Sequence, residues 1–124
     1  MKRDMDLVRR ILIAAEAADG RVSLGEIESY GCDAATAAFH IELMKSHGLV
    51  EAKVHYAMGG EPVDGYVTRL TWDGCDYLDA IRSNRVWERA KSAVSDAVGD
   101  TSLSVMKETC TALALSMIKS SLGI

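Results

Sequence analysis

One stretch, from Ser23 to Leu70, constrains the fold more than any other part of the chain. Its patterns predict a short helix over Leu24–Tyr30, a glycine turn at Gly31–Asp33, a second helix over Ala34–His47, and two strands, Leu49–Tyr56 and Gly65–Thr71. Ser23 and Glu26 fit a capping box, and Asp33 is a suitable cap for the second helix. Two helices joined by a short glycine turn are typical of a helix-turn-helix. The two strands and the glycine-rich loop between them predict a hairpin. This order of elements is that of a winged helix-turn-helix, with the hairpin as its wing.

The second predicted helix indicates which side of this stretch faces the core. Ile41 and Met44 lie one turn apart on a single face, and Gly48 ends the helix. Leu49 and Val50 then begin a strand in which apolar and charged residues alternate, as in a half-buried strand. We therefore expect Ile41, Met44, Leu49 and Val50 to be interior, so that the opposite side of the helix faces a partner.

Apolar patterns of helical period flank this stretch on both sides. Before the stretch, they predict a helix from a cap at Asp4 or Asp6 to about Ala18. After it, they predict a helix that buries Tyr77, Leu78 and Ile81, and a second helix over Arg85–Val98 that is capped by Asn84 and ended by Gly99. A last helix is predicted to begin at Thr101 or Ser102. Trp72 and Trp87 are predicted core anchors between the hairpin and the C-terminal helices. The predicted fold class is mostly α with a small β-hairpin. Residues 1–82 form the winged helix-turn-helix domain, and residues 83–124 form a helical extension that packs on the core, dimerises, or does both.

The last predicted helix carries two apolar faces. One face is a seam with alternating steps of three and four residues, made of Leu103, Met106, Cys110, Leu113 and Met117. The second face is made of Leu115, Ile118 and Leu122. A helix with two apolar faces needs two neighbours, and we expect these to be the domain itself and a partner chain. The five seam residues are therefore the candidate contacts of a homodimer.

Composition and the two ends of the chain limit the classes of partner. The formal net charge is −4 at pH 7, which counts against an obligate nucleic-acid binder, because such proteins usually carry a basic footprint. The N-terminus is charged and leads into an amphipathic helix, unlike a signal-peptide core. The longest apolar-leaning run, Thr109–Ile118, is about half the length that spans a bilayer. We expect a cytoplasmic protein that makes no membrane contact.

The outward side of the second helix is the candidate binding surface. Its positions are Ala35, Thr36, Ala38, Phe39, Glu42, Lys45 and Ser46. Base reading normally uses Arg, Lys, Asn or Gln, because their donors match base edges in the major groove. The exposed aromatic Phe39 suits a protein contact, or alternatively packs under the wing. The candidate DNA- or partner-binding residues are Ala35, Thr36, Phe39, Glu42, Lys45, Lys53 and Arg69.

No residue grouping in the sequence predicts catalysis, a metal site or a cofactor. The cysteines Cys32, Cys75 and Cys110 are far apart and lack a CxxC motif, as expected of reduced cysteines in a cytosolic protein. His40 and His47 are two helical turns apart, which is too far for one metal shell without other ligands. We therefore expect a protein that is not an enzyme.

Several short motifs are spread over nearly the whole chain. They are Met-Lys-Arg-Asp-Met-Asp-Leu at 1–7, Phe39-His40, Gly48-Leu49, and above all Arg69-Leu-Thr-Trp-Asp-Gly-Cys-Asp-Tyr-Leu-Asp-Ala-Ile-Arg82 followed by Val86-Trp87. Together they resemble the YjcQ-like family of bacteria and phages, a family of unknown function taken to have a winged-helix-like fold. The resemblance implies that architecture and a phage or prophage setting, and it implies no activity. Cys75 stands where the family pattern has His.

Two functions fit the sequence. The first is a small DNA-binding transcriptional regulator of phage or prophage type, whose homodimer sets two recognition helices about one turn apart on double-stranded DNA. The alternative is a non-enzymatic protein-interaction module that reuses the winged-helix fold, such as a phage-encoded inhibitor of a host defence or regulatory complex. The helix-turn-helix with its wing favours the first function, and the acidic charge favours the second.

Overall fold

The computed structural model describes residues 1–98 and 103–123, and within them the side chains of residues 1–95 and 104–123. Its elements are α1 (Met5–Ala17), β1 (Val22–Ser23), α2 (Leu24–Glu28), α3 (Ala34–Ser46), β2 (Val50–Tyr56), β3 (Pro62–Leu70), α4 (Trp72–Ile81), α5 (Asn84–Val98) and α6 (Leu103–Leu122). The protein is thus mostly helical with a small antiparallel sheet, as predicted. Gly99, Thr101 and Ser102, the predicted helix ends, lie outside the described residues.

The sheet has three strands in the order β1-β3-β2, one more than predicted. Val22 pairs with Val67 and Ser23 with Tyr66. A two-residue strand has no periodicity of its own, so only its partner could reveal it. The hairpin loop is also shorter than predicted, because β3 already begins at Pro62.

The helix caps account for where the helices begin. The carboxylate of Asp4 accepts hydrogen bonds from two backbone N–H groups of α1, the Ser23 hydroxyl accepts one in α2, and the Asp33 carboxylate accepts one in α3. These three predicted caps are confirmed. The cap predicted at Asn84 is wrong, since the Ser83 hydroxyl accepts the hydrogen bond from the Val86 N–H at 3.2 Å and Asn84 is already helical.

The chain divides into two compact units, Met1–Asp76 and Tyr77–Ile124. In the first unit, α1, α2 and α3 pack against the sheet and against one another. Its core is formed by aliphatic residues from every element, including Ile11, Leu12, Val22, Ile27, Ile41, Met44, Leu49 and Val67. The domain boundary expected at residues 82 and 83 stays a prediction.

The turn after α3 is fixed by the start of α4. The Thr71 N–H donates to the Leu49 carbonyl oxygen at 3.0 Å, and the Thr71 hydroxyl donates to the Gly48 carbonyl oxygen. The same hydroxyl accepts from the Gly74 N–H at 3.0 Å and so caps α4. A Cβ at Gly74 would lie 2.0 Å from the Leu49 oxygen, so only glycine fits this close approach. These contacts hold the end of α3 and the beginning of β2 in place.

In the second unit, α5 packs against α6. Trp87 of α5 is buried, as expected of a core anchor.

Trp72, at the start of α4 in the first unit, is not a core anchor, because 83% of its surface is exposed. Ile81, on the buried side of α4, lies nine residues from Trp72, about two and a half turns, which places the two on opposite sides of the helix.

None of the helices within residues 1–98 and 103–123 combines the length and the apolar character needed to cross a bilayer.

Candidate functional site

Helix α3 faces the core with the side that the sequence predicts. Ile41, Met44, Leu49 and Val50 are each at most 3% exposed. A paired ribbon of β2 and β3 follows Gly48. The other side of α3, together with the hairpin beside it, is therefore the candidate site.

The predicted residues of α3 are not equally accessible. Ala35, Lys45 and Ser46 are exposed, whereas Thr36, Phe39 and Glu42 are half-buried. Ala38 was expected on the outward side but is only 3% exposed. It precedes Ile41 by three residues and therefore lies along the edge of the buried face.

His40 is fully buried and links α3 to the start of α1. Its Nε2 accepts a hydrogen bond from the Asp4 N–H at 2.8 Å, and its Nδ1 lies 2.8 Å from the Thr36 carbonyl oxygen. Because Nε2 is the acceptor, the ring is neutral with its proton on Nδ1, which donates to Thr36. His40 therefore orients two helices, and sequence reasoning missed this role because its partner is a backbone group 36 residues away.

The ring of Phe39 packs on this histidine. The two rings meet edge to face, with their centroids 5.3 Å apart. Phe39 is half-buried, and its ring packs on a residue of its own helix. The two alternatives for Phe39, a contact with a partner protein or packing under the wing, stay predictions.

Glu42 of α3 and Tyr56 of the hairpin are close enough to interact electrostatically. Partial burial, and next the negative charge of Glu42, raise the pKa of the Tyr56 phenol above its ordinary value. Tyr56 is 48% exposed at the end of β2, and Met58 in the following turn is fully exposed. We name Phe39, Glu42, Tyr56 and Met58 the α3–hairpin surface. It offers an aromatic ring, a phenol, a thioether and a carboxylate.

Lys53 and Arg69 lie away from that surface, on the outward face of the sheet. Side chains alternate along β2, so the exposed Glu51 and Lys53 point away from the half-buried Ala52. Arg69 donates to both carboxylate oxygens of Glu51, at 2.7 and 3.2 Å. This pairing lowers the pKa of Glu51 and raises that of Arg69, so the arginine charge is already matched.

The outward sheet face also carries an aromatic and basic cluster that sequence reasoning missed. The Arg21 guanidinium lies 4.0 Å from the centroid of the Tyr66 ring, and the His55 ring lies 6.4 Å from it. Arg21 reaches Tyr66 because β1 pairs with β3. The missed strand therefore hid this contact.

The unit that contains the candidate site is acidic. Residues 1–76 carry eight basic and thirteen acidic side chains. Among residues 1–98 and 103–123, no group of three or more His, Cys, Asp or Glu side chains could hold a metal ion.

The predicted dimer seam on α6 is partly buried within the chain. Met106 and Cys110 are fully buried, and Leu113 and Met117 are half-buried. The side chain of Leu103 lies outside the described residues. The second apolar face is the more accessible one, since Leu115, Ile118 and Leu122 are 51%, 54% and 68% exposed. A dimer role for the seam stays a prediction.

The comparisons with known proteins place the chain in a family. A family described as "Hypothetical protein (DUF2513)" matches residues 2–100. The chain belongs to this family. It is also 34% identical over 119 residues to an uncharacterized protein of Haemophilus influenzae, with 95% of this chain and 99% of that protein covered. No solved structure matches significantly. Membership in a family of unknown function agrees with the sequence-based expectation, whereas the YjcQ-like assignment stays a resemblance.

Proposed function

We propose that the protein is a winged helix-turn-helix module that binds another protein through the α3–hairpin surface. The order of α1 to β3, the turn at Gly31 and the pairing of β1 with β3 support the winged-helix assignment. The resemblance to the YjcQ-like family supports the same architecture. In this assignment α3 stands where a recognition helix would lie and the β2–β3 hairpin is the wing.

One observation carries the choice of a protein partner. Where α3 meets the hairpin, the Glu42 carboxylate is close enough to the Tyr56 phenol to influence its pKa, and the same surface carries the half-buried ring of Phe39 and the exposed thioether of Met58. Tyr and Met are enriched at protein interfaces, and Met adapts its shape to irregular surfaces. Phosphates would meet the negative charge of Glu42 at this place, which disfavours a duplex.

The partner that fits this surface has an apolar centre and a basic rim. Its apolar groups would cover Phe39, Tyr56 and Met58, and a Lys or Arg would pair with Glu42. A protein whose own groove binds nucleic acid has this chemistry. In a phage or prophage setting, such a partner would belong to a host defence or regulatory complex.

A photo-crosslinking experiment tests the proposal. A benzophenone amino acid placed at Tyr56 is activated in bacteria that express the protein, and captured proteins are identified by mass spectrometry. We expect one partner to be captured, and its capture to fall at least about tenfold when Glu42→Lys and Met58→Ser are added. The control variant is Asp19→Lys, which changes the charge at an exposed loop residue outside the surface. Equal capture by all three proteins contradicts the proposal.

A DNA-binding transcriptional regulator is the second candidate, favoured by the exposed amines of Lys45 and Lys53. Duplex DNA binding of this kind would weaken steeply with salt, because each phosphate contact releases counterions. The test is retention on duplex DNA between about 50 and about 200 mM salt. The variant Lys45→Glu with Lys53→Glu would abolish retention if this candidate is correct. Absence of retention by the unaltered protein excludes it.

A further inference from the structure

A second regular stripe runs along the exposed side of α6. Its six residues follow one another at steps of three, four, three, four and three, and all are exposed: Val105, Glu108, Ala112, Leu115, Lys119 and Leu122. This is the spacing of helices that pack side by side. The stripe lies opposite Met106 and Cys110, which are buried, so it is a face distinct from the predicted seam.

The order of side chains in this stripe is self-complementary when it is reversed. Turning a second copy end to end about the midpoint between residues 113 and 114 places Val105 against Leu122, Glu108 against Lys119, and Ala112 against Leu115. Apolar groups then meet apolar groups, a small residue meets a large one, and each carboxylate meets an ammonium. Two-fold symmetry makes each of these contacts twice, as in the isologous interfaces of homodimers.

A parallel pairing of the same stripe lacks this match. It would set Glu108 against Glu108 and Lys119 against Lys119, and like charges that lie next to each other repel. The charge pattern therefore selects both the partner, which is a second copy of this chain, and its direction. A shallow surface depression lined by Ala112, Leu115, Ser116, Lys119 and Ser120 lies on the same side of α6.

We propose that the protein forms a homodimer through antiparallel pairing of its α6 helices along this stripe. Each Glu108 carboxylate pairs with the Lys119 ammonium of the second copy, and Leu115 packs over Ala112 of the second copy. The stripe spans seventeen residue steps, or about 26 Å of helix. This inference goes beyond the proposed function and does not depend on it, since the α3–hairpin surface contributes no residue to the stripe.

Charge exchange at two positions tests the pairing and its direction. Sedimentation equilibrium at low salt measures the dimer dissociation constant of the full-length protein. Glu108→Lys and Lys119→Glu should each raise this constant at least about tenfold, because each creates two like-charge contacts per dimer. The double variant Glu108→Lys with Lys119→Glu should return it to within about threefold of the unaltered protein. An equimolar mixture of the two single variants should form heterodimers.

The same series of variants includes a control, and two of its possible results would overturn the proposal. Glu88→Lys makes the same change of charge on an exposed residue of α5 and should leave the dissociation constant unchanged. Circular dichroism of every variant checks that it is folded, and recovery in the double variant excludes misfolding as the cause of a loss. A protein that stays monomeric up to about 100 µM overturns the proposal, and the stripe then serves another partner. A dimer that is insensitive to Glu108→Lys also overturns it.

Discussion

Helices α3 and α6 are both rich in apolar residues, yet they are covered to different extents. Five of the thirteen residues of α3 are buried, because this helix contacts α1, α2, β2 and β3. Along residues 104–122 of α6, only Met106 and Cys110 are buried. Apolar composition alone therefore does not tell how much of a helix is covered within one chain. The extent of coverage depends on how many other elements pack around the helix.

The largest expected effect is a loss of stability at a buried position of α3. Ile41→Ala should lower the free energy of unfolding by about 2–5 kcal/mol, because it removes fully buried methyl and methylene groups and leaves a cavity. Urea unfolding at micromolar protein concentration measures this change. Ile118→Ala removes the same groups from a half-exposed position of α6 and should cost less than about 0.5 kcal/mol. Equal losses in the two variants would show that the contrast between the helices is wrong.

The next effect concerns the turn that fixes the end of α3. Gly74→Ala should cost about 1–3 kcal/mol or more, because its methyl group would overlap the Leu49 carbonyl oxygen and two backbone segments would have to separate. Thermal unfolding followed by circular dichroism measures the loss. Gly25→Ala is the matched control, since the nearest atom to its Cβ is the Ser23 hydroxyl at 3.9 Å. A neutral Gly74→Ala would contradict the close approach.

A smaller effect is expected at the polar link between α3 and α1. His40→Leu leaves the Asp4 N–H without its acceptor and should cost about 1–3 kcal/mol. Hydrogen exchange should quicken most at the start of α1, around Leu7. His47→Leu makes the same substitution at an exposed position and should stay within about 0.5 kcal/mol of the unaltered protein. If both variants exchange alike, His40 does not orient α1.

The smallest expected effect is a loss of folding stability at low pH. The pKa of Asp33 is lowered by hydrogen bonds from the Thr36 side chain and then its N–H, and that of Glu51 by its hydrogen bond from Arg69. Both carboxyls have lower pKa values in the folded than in the unfolded protein. They stabilise the fold above the unfolded-state pKa, and this contribution is lost as the pH falls through the folded-state pKa.

The measurement is the melting temperature between about pH 7 and about pH 3. The melting temperature should fall as the pH is lowered, and Glu51→Gln and Asp33→Asn should each make this fall slightly smaller. The effect is small because both carboxyls are exposed. Asparagine still caps a helix, so Asp33→Asn keeps the hydrogen bond while it removes the titration. An unchanged pH profile in the double variant would contradict the assignment.

Local rules predicted much of the fold. Ser23, Asp33 and Gly48 act through neighbours within a few residues, so capping and glycine rules locate the ends of α2 and α3. The spacing of Ile41 and Met44 sufficed to orient α3. Such features depend on short-range geometry, and one sequence contains the information they need.

Features that depend on distant partners could not be predicted in this way. The two-residue strand β1 exists only because Val22 pairs with Val67, and the contact between Arg21 and Tyr66 follows from that pairing. His40 is buried and accepts a hydrogen bond from the backbone of Asp4, and the residues around position 40 do not predict this contact. On α6, the spacing revealed two apolar faces but could not tell which one is buried within the chain.

Hydrogen exchange measured as a function of protein concentration tests the contrast between α3 and α6 most directly. The amides of α3 should be strongly protected at every concentration, because the helix is packed within one chain. The amides of residues 104–122 should become more protected as the concentration rises, because a second copy covers their exposed stripe. Exchange in α6 that does not change with concentration, or exchange in α3 as fast as in dilute α6, would contradict the account.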